Sequence, residues 1–389
     1  TLTFSNLNAG DYCIRTYHVD MSYPGPSPLA TFNVLVDGQV VSNGKTVGRD
    51  SFYPKMEGTA YFTFTCDGVN DVVIEFDDPE LDEVWLNGFI LMGDGTLSGG
   101  AGIAGNGCAA TISKCVITNN LAICGGGLCD CDGLIENNVI CDNRVYRTPL
   151  ILIPPSYGGG LYDCDGLIQN NIIRDNVAEY MGYGGGLYGC DGTIWHNIIS
   201  NNSADSGGGL LLCDGAIVNN LLVGNFVVED GAIASCHGSI SNCTLVGNYA
   251  SNGSGIYDCY GSISNCIIWQ NLNGMGQPEQ MINCSTPTYS CIENWSAGGI
   301  GNINSDPCFA DPDVNDFHLQ SAAGRWDPNT KTWVYDDVNS PCIDAGDPNS
   351  HWTAELWPHG KRINMGAFGG TPQASMSLSD AGNIADLNN

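Results

Sequence analysis

Basic side chains are the scarcest chemistry in this sequence. Twelve Lys and Arg stand against 42 Asp and Glu, a formal net charge of -30, and only 14% of the 389 residues are charged. Between Arg174 and Arg325 there is no Lys or Arg at all. Proteins that hold nucleic acid do so mainly through cationic contacts to phosphates, so nucleic acid is excluded as a partner. The same scarcity disfavours a lyase of anionic polysaccharides, which needs a cationic base and arginines to neutralise uronate carboxylates. Long apolar runs are missing too, none approaching the ~18 residues of a spanning helix, so no membrane span is expected. With 43% hydrophobic residues the chain still has ample material for a core. In excess are glycine, 52 residues, and cysteine, 19. That cysteine content, with a chain opening at Thr1, sets the expectation of a secreted protein at the cell surface or outside the cell, its leader removed or the chain cut from a longer product.

Most of both residues belong to one repeat. Cysteine recurs at Cys108, Cys131, Cys164, Cys190, Cys213, Cys236 and Cys259, in steps of 23, 33, 26, 23, 23 and 23. Four residues after each stands isoleucine (Ile112, Ile135, Ile168, Ile194, Ile217, Ile240, Ile263). Twelve after each stands asparagine (Asn120, Asn143, Asn176, Asn202, Asn225, Asn248, Asn271). A second apolar position holds Ile117, Ile140, Ile173, Ile199, Leu222, Leu245 and Ile268, and no unit carries a helical period of adequate length. Each unit reads as three short strands separated by turns at Asp-Gly, at the asparagine and at a glycine cluster. Such units bury their apolar faces only by stacking. The expected fold class is therefore all-β: a right-handed parallel β-helix with three strands per ~23-residue coil, preceded by an antiparallel β-sandwich.

Stacking turns each column into a ladder with ~4.8 Å spacing. The isoleucines fill the core, and the asparagines occupy a turn, where they tolerate left-handed backbone and bond amide to amide. The cysteine column is expected to point inward as small apolar thiols. Seven residues on, Cys115, Cys243 and Cys266 alternate with Asn138, Asn171, Asn197 and Asn220, so the fold requires no disulfide there. Cys13 with Cys66, and Cys308 with Cys342, lie outside the ladder and are the disulfide candidates.

Two irregularities mark a functional face. The long coils place their extra residues at one turn, Arg144–Tyr157 and Val177–Tyr183. They bring Tyr146, Tyr157, Tyr180 and Tyr183 beside Tyr162 and Tyr188, either an aromatic ledge suited to sugar rings or loop residues covering a coil edge. A column of Asp132, Asp165, Asp191 and Asp214 is open to two readings as well, turn chemistry at Asp-Gly or a site where calcium bridges stacked carboxylates. If the chain is an enzyme, Asp163, Asp165 and Asp191 are the catalytic candidates, because glycoside hydrolysis needs two carboxyl groups roughly 5–9.5 Å apart.

The flanks differ in character. Residues 1–95 alternate at strand period, and their strands through Leu86-Asn87-Gly88-Phe89-Ile90-Leu91 resemble malectin-like and other carbohydrate-binding jelly rolls, which implies a glycan as ligand. Residues 96–305 hold the β-helix. The stretches Ser340-Pro341-Cys342-Ile343-Asp344-Ala345-Gly346 and Arg362-Ile363-Asn364-Met365-Gly366-Ala367-Phe368-Gly369-Gly370 resemble the tail after β-helices in secreted repeat proteins of environmental bacteria, so 306–377 is expected to cap the open coil. Residues 378–389 read as a linker whose Ala385-Asp386-Leu387-Asn388-Asn389 resembles the opening of a dockerin-type calcium loop.

The coil is shared with polysaccharide-acting β-helix enzymes. Its glycine elements, such as Gly184-Gly185-Gly186-Leu187 and Asp230-Gly231-Ala232-Ile233, are similar to repeats of the polymorphic outer-membrane protein adhesins. Two functions follow. One is a non-catalytic extracellular protein: an adhesin, a glycan-binding module, or a self-assembling filament or surface-layer component whose partner is glycan or further copies of itself. The other is a glycoside hydrolase acting on a neutral polysaccharide.

Overall fold

A computed structural model describes the strands within residues 2–92 together with residues 102–145, 155–252 and 255–378. The N-terminal strands form two antiparallel sheets. One has the order Leu2–Phe4, Val72–Asp77, Thr31–Val36, Gln39–Lys45; the other is Gly58–Cys66, Gly10–His18, Gly88–Met92. In register Cys13 pairs with Thr63 and Cys66 with Gly10; the side chains of this first disulfide candidate lie outside the described residues.

Beyond these sheets the chain is an all-β parallel solenoid, divided between two compact units, 1–215 and 216–389. Each coil holds four short strands, one more than expected. In the first unit the first sheet stacks Ile112–Ser113, Ile135–Glu136, Ile168–Gln169 and Ile194–Trp195. The second stacks Val116–Thr118, Val139–Cys141, Ile172–Arg174 and Ile198–Ser200. The additional strand, in the third sheet, follows the ladder asparagine (Leu121–Ala122, Arg144–Val145, Val177–Ala178, Ser203–Ser206). Its outward residues share no type, and its inward column is small, Ala122, Val145, Ala178 and Ala204, a weaker signal than the isoleucine columns. The fourth sheet continues the second N-terminal sheet, Gly88–Met92 pairing in parallel with Ile103–Cys108, and runs on through Leu128–Cys131, Leu161–Tyr162 and Leu187–Tyr188 to Leu210–Leu211. The second unit repeats this coil from Ile217–Val218 to Cys291–Ile292.

Left-handed residues make the corners. They stand six residues after the column cysteine (Asn137, Asn170, His196; Asn219, Asn242, Asn265), eleven after it (Asp142, Asp175, Asn201; Gly224, Gly247, Gln270) and immediately before it (Asp130, Asp163, Gly189; Ser235, Asp258). Most are Asn, Asp or Gly, the types that pay least for this conformation. The ladder asparagine, expected to be left-handed itself, is instead the residue after the corner and turns inward.

Inside the corner the ladder asparagines bond the coils on either side. Asn143 Nδ2 donates to Asn176 Oδ1 at 3.0 Å and to the Ile117 carbonyl at 2.9 Å, while its Oδ1 accepts the Asn120 backbone N–H at 3.2 Å. Asn176 and Asn202 continue the pattern, as do Asn225, Asn248 and Asn271 in the second unit. Buried amides paired in this way lock the register of neighbouring coils; at the ladder's first member, Asn120, Oδ1 is buried without a hydrogen-bond partner. A second ladder runs through Asn138, Asn171 and Asn197 with the same geometry.

The second ladder explains the Asn/Cys exchange. Asn197 Nδ2 donates to the carbonyl of Ile168, and in the second unit the thiols of Cys243 and Cys266 meet the equivalent carbonyls of Ile217 and Ile240, at 3.5 and 3.8 Å. Cys131, Cys164, Cys190 and Cys213 are buried, each thiol reaching the carbonyl two residues earlier. Burial and the neighbouring thiols push the Cys190 thiol well up, which favours the protonated form.

The C-terminal segment corrects another expectation. Rather than only closing the coil end, residues 306–377 lie along the outward face of the second sheet within the second unit. Leu221, Val246, Ile267 and Cys291 pack there against Phe309, Phe317, Leu319, Met365 and Ala367. Asn219 Nδ2 donates to the carbonyls of Ala367 and Gly369 at 2.9 and 2.8 Å, and Asn242 Nδ2 to that of Asn364. Gly366 donates to the Asn265 carbonyl and Ala367 to Thr244 Oγ1. Gly366, at φ 90°, sits where a Cβ would lie 2.7 Å from Ile267 Cδ1 and Thr244 Oγ1, so only glycine allows this approach. Within this segment Arg325 bridges Asp316 and Asp336 at 3.2 and 3.0 Å, and Asp316 also bonds His318 Nδ1 at 2.6 Å. Cys308 and Cys342 are both free thiols, a correction to the disulfide expectation: Cys342 shares a core with Cys291 instead.

Candidate functional site

The tyrosines converge on the corner between the third and fourth sheets, where the insertions fall. Tyr157 and Tyr183 pair across successive coils in an isolated parallel bridge, and Tyr162 and Tyr188 pair within the fourth sheet. Stacking at one-coil spacing follows from that register. Ring centroids of Tyr157 and Tyr183 are 5.8 Å apart at 22°, those of Tyr162 and Tyr188 5.7 Å apart at 11°, and Tyr157 joins the two pairs at 4.7 Å from Tyr188. All four rings are half-buried. Burial, with Asp163 beside it, pushes the Tyr162 hydroxyl up to about 12. The neutral phenol therefore holds throughout the physiological range.

Tyr180 stands apart from this cluster, 56% exposed at the tip of the second insertion. Tyr180 and Met181 are both left-handed, at φ 52° and 61°. The Asp205 carboxylate holds this turn by accepting the N–H groups of Met181 and Gly182, and Arg144 pairs with Glu179 at 3.0 Å beneath it. Asp205 was not singled out from the sequence, because its partners are backbone groups supplied by an insertion rather than by the repeat. Tyr146 lies outside the described residues.

The aspartate column is tied to the backbone of successive coils. Asp132 Oδ1 accepts the Asp165 backbone N–H at 3.1 Å, Asp165 Oδ1 that of Asp191 at 2.8 Å, and Asp191 Oδ1 that of Asp214 at 2.9 Å. Each carboxylate thus meets the amide of the next coil, which offsets part of the repulsion between stacked charges and is the bonding the turn reading expects. Among the described residues no group of three or more His, Cys, Asp or Glu is placed to hold a metal ion.

Asp163, one of the catalytic candidates, has an altered acidity. Partial burial, then Asp165 and Asp130, push its carboxyl up to about 6. Asp132 is raised as well, by burial first and against the pull of the Asp165 N–H. Asp163 therefore sits among Asp130, Asp132 and Asp165 and next to the Tyr162 ring, while Asp165 and Asp191 belong to the amide-bonded column.

Fold and site together define a class, the parallel β-solenoid repeat proteins. Within it, residues 214–346 match the family model described as disaggregatase related, about a third of the chain and within the stretch from the last coils into the lateral segment. No curated protein and no solved structure matches the chain.

Proposed function

We propose that this chain is an extracellular, non-catalytic surface protein, a rigid solenoid that meets glycans through its tyrosine ledge and assembles with further copies of itself. The observation that carries the reading is the tyrosine cluster. Four rings, held by strand register and by insertions confined to one corner, present a prefixed aromatic surface beside exposed acids, and stacking of a sugar face on such rings requires little reordering. The ladders support a scaffold role, because every coil is tied to the next by buried amides. The test is binding of the full chain to an array of neutral glycans. Tyr188→Ala and Tyr183→Ala are expected to weaken binding at least tenfold, with melting temperature reporting that both variants still fold. Undiminished binding in both variants would remove the ledge from the reading.

One observation favours a second reading. A carboxyl raised to about 6 is suited to act as a general acid near neutral pH. A glycoside hydrolase using Asp163 would release reducing ends from a neutral polysaccharide, with activity abolished in Asp163→Asn.

A further inference from the structure

Cys124 and Cys129 stand outside the buried cysteine column. Cys129 holds the outward position of its fourth-sheet strand, in register with Tyr162, and Cys124 forms an isolated parallel bridge with Tyr157. The two cysteines therefore occupy, one coil earlier, the two columns in which the rings of Tyr157 and Tyr162 meet at 5.8 Å. The columns touch because of the glycine turn between them. Gly125 is left-handed at φ 56°, and a Cβ on it would lie 2.6 Å from Cys129 Cβ, so the chain folds back at a distance that only glycine permits. Across that turn Cys124 and Tyr162 pack against Cys129, which with Ala104 forms a small core of its own. Cys129 is fully buried beneath them, whereas Cys124 is half-buried. After burial and Asp163, both thiols help to raise the Tyr162 hydroxyl, which places both beside that ring.

We infer that Cys124 and Cys129 are a reactive dithiol that closes into a disulfide across the glycine turn, a modification site at the end of the tyrosine ledge. The pair differs from the ladder cysteines in placement and in access. Column thiols such as Cys164 and Cys190 are fully buried in successive coils, where Cβ vectors run parallel at ~4.8 Å, poor geometry for a disulfide. Cys124 and Cys129 belong to one coil and approach from opposite arms of a turn, and Cys124 meets solvent, as thiol–disulfide exchange requires. The oxidant is a small-molecule disulfide. The Cys124 thiolate attacks one of its sulfurs and expels a first thiolate; the Cys129 thiolate, already packed on Cys124, attacks the Cys124 sulfur and expels the second. One disulfide replaces another: the pair gives up two protons and two electrons, and the reagent leaves as two thiols. The inference does not depend on the glycan reading.

The experiment uses the full chain, reduced under native conditions, freed of reductant and exposed to oxidised glutathione. After an acid quench, the remaining thiols are alkylated in denaturant and the stretch Cys115–Arg144 is mapped by fragmentation mass spectrometry. The expected product is a Cys124–Cys129 disulfide that retains no glutathione, with Cys131 and Cys141 alkylated. Cys129→Ala is expected to keep one glutathione on Cys124. Cys124→Ala is expected to react at Cys129 at least ~10-fold more slowly than the native chain closes its disulfide, because the exchange-competent thiol is the accessible one. Melting temperature reports folding of both variants, and the native map stands without either of them. Glutathione persisting on Cys124 of the native chain, a bridge from either cysteine to a third one, or both thiols recovered unmodified would each overturn the pair.

Discussion

Ile172 and Ile267 occupy the same outward position of the second sheet, in coils built from the same ladders. Ile172 is 38% exposed, and Ile267 is 1% exposed beneath the C-terminal segment. Nothing in the coil itself distinguishes them. What differs is whether the chain returns to cover the face, so burial here is a property of long-range topology and not of the repeat. The comparison teaches that a solenoid's inward columns are dictated locally, while its outward columns are defined by whatever is laid on them.

The largest effect expected from this comparison is the contrast between Ile267→Asp and Ile172→Asp. A carboxylate placed under Met365 and Phe317 has no partner and displaces a packed side chain, a loss of about 4 kcal/mol. The same change at Ile172 is expected to cost at most about 1 kcal/mol. Denaturant unfolding of the two variants measures the difference. Equal losses would mean that the segment 306–377 does not cover the second unit's face in solution.

Much of the coil could be read from the sequence because its determinants are local and recur. Isoleucines at fixed spacing, asparagine at each corner and glycine before the fourth sheet repeat every 23 residues. The tyrosines were also legible as a group, since insertions displaced them to one corner. The third-sheet strand escaped because its outward residues Leu121, Arg144, Val177 and Ser203 differ in type and its inward column, Ala122, Val145, Ala178 and Ala204, is too small to stand out beside the isoleucines. The course of the C-terminal segment escaped for a different reason. Val116 and Ile172 are as apolar as Leu221 and Ile267, so the outward column carries no mark of which half is covered. The expected Cys308–Cys342 pairing failed similarly, since proximity of Cys342 to Cys291 arises only from that packing.

The ladders supply a prediction in which the two units should agree. Asn143→Ala and Asn248→Ala each remove an amide that serves three backbone or side-chain partners, and each is expected to cost about 3 kcal/mol. A clear disagreement would show that one unit's coils are held together by something other than the amide ladder.

Glu355 provides a pH-dependent test confined to the second unit. Its buried carboxyl accepts the N–H groups of Asn364 and Gly370 at 2.8 Å each, and burial pushes it up to about 7 from the ordinary 4.5. The folded state therefore binds the proton more tightly than the unfolded chain. Below pH 4.5 both states are protonated and this group imposes no penalty; as pH rises from 4.5 to 7 the carboxyl must ionise in place, and stability falls by up to about 3 kcal/mol. Glu355→Gln should flatten that slope. A slope that persists in the variant would assign it to another group.

The smallest effect concerns the exchange of asparagine and cysteine in the second ladder. Cys243 and Cys266 direct their thiols at carbonyls equivalent to those served by Asn171 and Asn197. Asn197→Cys should therefore place a weak donor at the Ile168 carbonyl and cost about 1 kcal/mol, whereas Asn197→Val, of similar bulk to the thiol but without a donor, should cost more. The reverse change, Cys243→Asn, puts a larger polar amide into a column that already has the carbonyl of Ile217 waiting, and it is expected to be tolerated because the two units share this corner's geometry. Loss of folding in Cys243→Asn would show that the cysteine-bearing coils have packed more tightly than the asparagine-bearing ones, so that the two halves of the solenoid differ inside as well as out.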